Sequence, residues 1–188
     1  MKYAADTSVS VSKSRAEIED LVTRAGAVRF FAGNEENRAF VGFTMKCNFK
    51  PCPDCTGPKP LRFTRECGVC ERSGKVHDKR NVMFELPLPK LEAFRLDGRH
   101  RMRPAEKQHE AWEQGCRASW RALFLAIKAK LVSVESGVES FEEAFLAQLV
   151  VPTGDGRTER FSKQAVKAIA EAYHVNGPPV LMLGSGHG

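Results

Sequence analysis

The residues best suited to chemistry are two cysteine pairs, Cys52-Pro-Asp-Cys55 and Cys67-Gly-Val-Cys70, separated by eleven residues. A Cys-x-x-Cys turn aims two sulfurs at one centre, because the residues between them form a tight knuckle whose backbone N–H groups face the thiolates. Two knuckles together supply four soft ligands in a tetrahedron, which suits zinc. Pro53 presets the first turn, and Gly57 and Gly68 relax the backbone beside each knuckle. The gap is shorter than the usual ribbon spacing but ample for a short hairpin between knuckles. Two disulfides are the competing reading. They need an oxidising compartment, and the opening Met1-Lys-Tyr-Ala-Ala-Asp6 is too short and polar to begin a secretory signal. With four protein ligands there is no open position, so the expected Zn2+ is structural rather than catalytic. Cys47 and His77 are spare ligands, either of which could replace one cysteine.

The stretches Cys52-Pro-Asp-Cys55-Thr-Gly57 and Cys67-Gly-Val-Cys70-Glu-Arg-Ser-Gly74 resemble the CxxCxGxG repeats of DnaJ-type zinc centres. The second knuckle has two extra residues before its glycine, only two repeats are present, and no J-domain signature occurs. The resemblance implies a zinc fold and carries no chaperone activity with it.

Charge points to a partner class. The chain carries +6 overall, but residues 38–130 hold twenty basic against ten acidic side chains, while both flanks are net acidic. Clustered positive charge attracts polyanions, although four thiolates around one zinc return about −2 locally. The candidate nucleic-acid-binding residues are Lys50, Lys59, Arg62, Phe63, Arg65, Arg72, Lys75, Lys79 and Arg80, with Lys46 and Phe49 beside them. Basic side chains neutralise phosphates and exposed aromatic rings stack on unpaired bases. The connector around Arg95–Arg103 and helix residues Arg117, Arg121 and Lys128 could extend this footprint. No finger helix with spaced base-reading residues is evident, so the expected binding to DNA or RNA is non-specific, as in an accessory factor of replication, recombination or transcription. The alternative is a zinc-stabilised protein-interaction factor. No Gly-rich phosphate loop, HExxH or nucleophile elbow is present, and His77, His100, His109 and His174 are scattered singly. Nothing in the sequence points to catalysis.

The elements that must position these residues follow from periodicity. Hydrophobic content of 42% and charged content of 28% are those of a globular domain, and no apolar run is long enough for a membrane span. A cytoplasmic location, in a reducing compartment, is the expectation. Ser14-Arg-Ala-Glu17 reads as a capping box opening a helix through Ile18, Leu21 and Val22 to Gly26. Strands are expected at Val28–Ala32, Arg38–Lys46 and Asn81–Leu88, the last two being arms of one hairpin with the cysteines at its tip. A long helix is expected from Pro104 to Ser136, with the stripe Trp112, Cys116, Trp120, Leu123, Ile127, Leu131 and Val134. Ser140-Phe-Glu-Glu143 opens a helix over Phe141–Val150, and Ser162 caps a last helix carrying Val166, Ile169 and Tyr173. The tail Pro178–Leu183 is apolar enough to pack back on the body. The expectation is one α+β domain over 1–46 and 81–188, a small three-stranded antiparallel meander under helices. Residues 47–80 form a zinc-ribbon-like inserted module.

Outside the module, the chain resembles a family of small uncharacterised proteins encoded by phages and prophages. The matching stretches are Ser12–Glu19 with Arg24–Ala27, Phe84–Pro89, Trp120–Leu131 and Phe141–Leu146, the Trp-Arg-Ala…Ile-Lys-Ala-Lys run being the most specific. The resemblance implies a phage origin, and so a bacterial host cytoplasm, in which the protein-interaction alternative would bind or inhibit a host protein or defence complex. It supplies no activity and no catalytic residues.

Overall fold

Ser14, Ile18 and Val22 recur every fourth residue, so helix α1 (Val11–Arg24) buries one narrow face. Its N-cap is Ser10, whose Oγ accepts from the Lys13 N–H at 3.2 Å. The expected box at Ser14 is therefore displaced by one turn, because Ser14 lies inside the helix on the buried face. Ala25 and Gly26 end α1, with Gly26 at φ +101°, a conformation that suits glycine. The computed structural model describes residues 4–56, 67, 69–71, 73–153 and 155–175.

The three expected strands form, and all are longer than the apolar alternation suggests. Strands β1 (Ala27–Glu35), β2 (Arg38–Pro51) and β3 (Lys75–Pro87) make an antiparallel meander in the order β1-β2-β3. The β1–β2 turn needs only Glu36 and Asn37, since Glu35 already faces Arg38. One face of the sheet carries Ala39, Val41, Phe43, Met45, Val82 and Phe84, all buried. That alternation is the one read from the sequence. Beyond Met45 the β2–β3 ladder continues to Pro51 opposite Lys75. A bulge interrupts it: β2 takes three steps from Lys46 to Phe49 while β3 takes two from Lys79 to His77. At its far end β2 runs into a single helical turn, α2 (Pro53–Thr56).

Helix α3 (Ala105–Glu135) lays Cys116, Trp120, Leu123, Ile127 and Leu131 on the buried side, as its stripe predicts. Gly115 has a packing reason: a Cβ there would meet Phe94 Cζ at 2.7 Å and Pro89 Cγ at 3.1 Å. Short helix α4 (Phe141–Phe145) opens on the expected capping box at Ser140 and Glu143. It drives Phe145 into the core edge-on to Phe43, with ring centroids 5.7 Å apart.

Two expectations fail in the C-terminal third. The helix over Phe141–Val150 stops at Phe145, passes through a 3-10 turn at Leu146–Gln148, and gives way to a small hairpin. Strand β4 (Val150–Pro152) pairs with β5 (Thr158–Arg160). Adjacent β-branched Val150 and Val151 favour extended backbone, and Leu149 is bridged to Val82 of β3. The last helix, α5 (Phe161–Val175), begins one residue before Ser162. It lies against the 3-10 turn and β5, with Ala168 its buried side chain and Val166, Ile169 and Tyr173 exposed. The tail Pro178–Leu183 lies outside the described residues. Among the described residues, no helix is long and apolar enough to cross a membrane. Helices α1, α3 and α4 thus pack on the inner face of the meander, an α+β arrangement with the cysteines at the end of the β2–β3 hairpin.

Candidate metal centre

The ladder delivers the first knuckle directly. Past Pro51, the Cys52 N–H donates to Gly74 O at 2.9 Å, so the hairpin is still paired where the cysteines begin. Pro53 occupies the first position of α2, where its missing N–H is harmless. That turn brings Cys55 round to the same side as Cys52, the Cys55 N–H donating to Cys52 O at 3.1 Å. The second knuckle closes through Glu71 N–H to Cys67 O and Ser73 N–H to Cys70 O, both 2.9 Å. The chain returns to β3 through Gly74 at φ +65°, while the Ser73 hydroxyl donates to the Cys70 or Lys75 carbonyl.

All four sulfurs converge: the ligand atoms of Cys52, Cys55, Cys67 and Cys70 lie within 4.8 Å of one another. Cys52 Sγ is 3.8 Å from Cys67 Sγ, and Cys55 Sγ is 3.6 Å from Cys70 Sγ. A disulfide needs about 2.05 Å. A tetrahedral ion about 2.3 Å from each sulfur sets its edges at about 3.8 Å, and these two edges fall near that length. Cys52 and Cys70 are buried, Cys55 and Cys67 half-buried. Without a cation these thiols divide a limited negative charge unequally. N–H groups of Cys70 and Val69 draw Cys67 down to about 7, whereas hydrogen bonding with Cys70 and Cys67 pushes Cys55 up to about 12. Burial raises Cys52 as well. Four thiolates together require a bound cation, and this cluster can hold a metal ion.

The spare ligands stand apart from the cluster. His77 lies over Phe49, ring centroids 4.1 Å apart, with Nδ1 3.3 Å from Cys47 O. Burial raises the Cys47 thiol above its ordinary value.

The basic candidates divide by strand face. Lys46 stands opposite Lys79, Phe49 opposite His77, and Pro51 opposite Lys75, so these side chains share the sheet's outer face. Lys46, Lys75 and Lys79 are exposed and enter no salt bridge among the described residues. Phe49 is 63% exposed. A shallow hollow of about 710 Å³ runs among Lys46, Phe49, Val69, Lys75, His77 and Lys79. Lys50 and Arg80 point to the other face and are both engaged by Asp78, Lys50 at 2.8 Å. Arg80 also reaches Glu142 of α4 at 3.2 Å. Hydrogen bonds from Lys50 and Arg80 hold the Asp78 carboxyl at about 2. Lys59, Arg62, Phe63, Arg65 and Arg72 lie outside the described residues.

The proposed extensions of the footprint separate from this face. Arg121 pairs with Glu17 of α1, and Arg117 binds Gln114 and Glu113 within α3, on the helical layer behind the sheet. Arg103 donates to the Phe94 and Leu96 carbonyls and serves the connector. Sequence reasoning missed Phe31 of β1, which is 51% exposed on the outer face opposite Gly42. Adjacent Phe30 and Phe31 in a strand cannot share a face, so one ring had to point outward. No family model, curated protein or solved structure matches this chain.

Proposed function

We propose that the four cysteines hold one structural Zn2+ and that the stapled hairpin end binds nucleic acid through its phosphates, without reading base sequence. Zinc is favoured by an all-thiolate donor set at tetrahedral spacing, which suits a borderline-soft ion without redox chemistry. The site is closed, so the metal's task is to fix the tip. The observation that carries the binding reading is the row of exposed Lys46, Lys75 and Lys79, without salt-bridge partners among the described residues, around exposed Phe49 stacked on His77. Lysines without carboxylate partners are free to neutralise phosphate. Lys50 and Arg80, being engaged by Asp78, contribute less.

The test is oligonucleotide binding by the zinc-loaded protein across a salt series. Affinity should fall steeply with salt, and Lys46→Glu with Lys79→Glu should flatten the logarithmic slope by roughly 0.7–0.9 for each phosphate no longer neutralised. Arg62→Glu with Arg65→Glu extends the test to the residues between the knuckles. No binding at low salt would end this reading.

The second reading, a protein-interaction factor, is favoured by the exposed apolar stripe Val166, Ile169 and Tyr173 on α5. A partner held there would tolerate charge reversal at Lys46 and Lys79.

A further inference from the structure

The inner face of the meander is covered by helices, whereas no described helix or strand packs across its outer face, and the side chains there form an ordered series. From the β1–β2 turn outward, alternation places Phe40, Phe31, Arg29, Thr44, Asn81, Lys46, Lys79, Phe49 and His77 there in successive ranks. Phe31 lies flat across Gly42: a Cβ on Gly42 would fall 2.1 Å from Phe31 Cζ and 2.3 Å from Cε1. Glycine at this position is what lets the ring lie down on the backbone. One side of the ring covers buried Gly42, and the other is offered to solvent. At the far end of the same face, Phe49 and His77 form the second aromatic platform. The two platforms are roughly 20 Å apart along β2.

The charge between them has one sign. Arg29, Lys46 and Lys79 are exposed there and enter no salt bridge among the described residues. The strand acids on this face, Glu35 and Glu85, are bound by Arg38 and Arg160, and Glu71 of the second knuckle lines the hollow beyond Phe49 and His77. Thr44 Oγ1 and Asn81 Oδ1 hydrogen-bond to each other at 2.8 Å and set a neutral rank between the platforms.

We propose that this open face seats single-stranded nucleic acid, with unpaired bases stacking on Phe31 and on the Phe49–His77 pair while Arg29, Lys46 and Lys79 take the intervening phosphates. This rests on the reading of the hairpin end as a nucleic-acid binder and assigns it a strand state and a second region of attachment. A ring lying flat on the sheet, as Phe31 does, offers a π-face. Bases in a duplex have theirs occupied by neighbouring pairs, so stacking selects for the unpaired strand.

The test compares a 12-nucleotide single strand with a duplex of the same sequence, measured by fluorescence anisotropy at fixed salt. The protein variants are wild type, Phe31→Leu, Gly42→Ala, and Lys46→Glu with Lys79→Glu. Phe31→Leu keeps an aliphatic cover over Gly42 and removes the π-face. Gly42→Ala evicts the ring from its seat without altering any residue that would touch the strand. Wild type should prefer the single strand. Either platform variant should weaken single-strand binding by about tenfold, with duplex binding and melting temperature unchanged. Ultraviolet cross-linking of the wild-type chain should attach the single strand to the peptide containing Phe31, a readout that needs no variant. Equal affinity for both strand states, or wild-type affinity in both platform variants without a Phe31 cross-link, would overturn the sheet-face proposal. If Lys46→Glu with Lys79→Glu still weakened binding, the hairpin-end reading would survive. Absence of binding to either oligonucleotide would overturn both.

Discussion

Strand β2 passes through two regions that share one hydrogen-bonded ladder and little else. From Ala39 to Met45 it lies under α1, α3 and α4, and its inward side chains are almost entirely removed from water. From Cys47 to Pro51 the strand pairs only with β3 among the described residues; Cys47 lies at the rim of a hollow it shares with α3 and α4, and beyond it Phe49 is exposed. A two-stranded ribbon without an apolar cover is marginal in water. The first region is held by burial. The second ends on four convergent sulfurs that can supply through a metal the cohesion that burial does not. Backbone pairing is common to both and cannot be what distinguishes them.

The largest effect should come from damaging the covered region. Trp120 is 1% exposed at the centre of α3's buried face, and Trp120→Ala should cost about 3 kcal/mol or more, measured by urea or thermal unfolding. An unchanged midpoint would remove Trp120 from the core. Cys52→Ser should act on the other region: loss of bound metal by elemental analysis, and loss of amide protection confined to Cys47–Pro51 and Lys75–His77. Helicity by circular dichroism should persist. Collapse of helicity together with the metal would show that the tip and body are one cooperative unit. The smallest effect should come from the junction between them, where Asp78 holds Lys50 and Arg80. Its folded-state pKa lies below the unfolded value of about 3.9. Its contribution is therefore present above that value and is lost as pH falls through about 2. The stability difference between wild type and Asp78→Asn should be constant above pH 4 and vanish toward pH 2. Metal loss on acidification affects both proteins and cancels in the difference. A difference that persisted at pH 2 would detach it from the Asp78 charge.

The same division explains what could be read from the chain. Ala39, Val41, Phe43, Met45 and the α3 stripe were legible because burial writes a period of two or 3.6 into the sequence. The cysteines were legible because their spacing encodes ligand geometry. Residues 47–51 and 75–80 gave no strand signal, since among the described residues this ribbon buries no continuous apolar face that would impose alternation. The β4–β5 hairpin was hidden for another reason: three-residue strands are too short to show a period, and a capping box legitimately announced a helix there. In α5 the apolar stripe was legible but its direction was not. Nothing local says that Ala168, rather than Ile169, will meet the body. The partner division of the cations was also invisible, because Lys46 and Lys50 differ only in the face on which the strand presents them.

That last distinction rests on the single extra residue that β2 carries between Lys46 and Phe49. Alternation is a two-state clock, and the bulge lets β2 pass one residue without advancing it. Were the three steps from Lys46 taken in regular alternation, Phe49 would turn inward and Lys50 outward, and Cys52 would arrive at the tip on the other side of the strand. The bulge therefore sets the phase of everything distal to it. Deleting the one extra residue should straighten the ladder and leave Phe49 opposite His77, whereas a deletion between Phe49 and Cys52, where no bulge absorbs it, should throw the sulfur cluster out of phase with the aromatic pair.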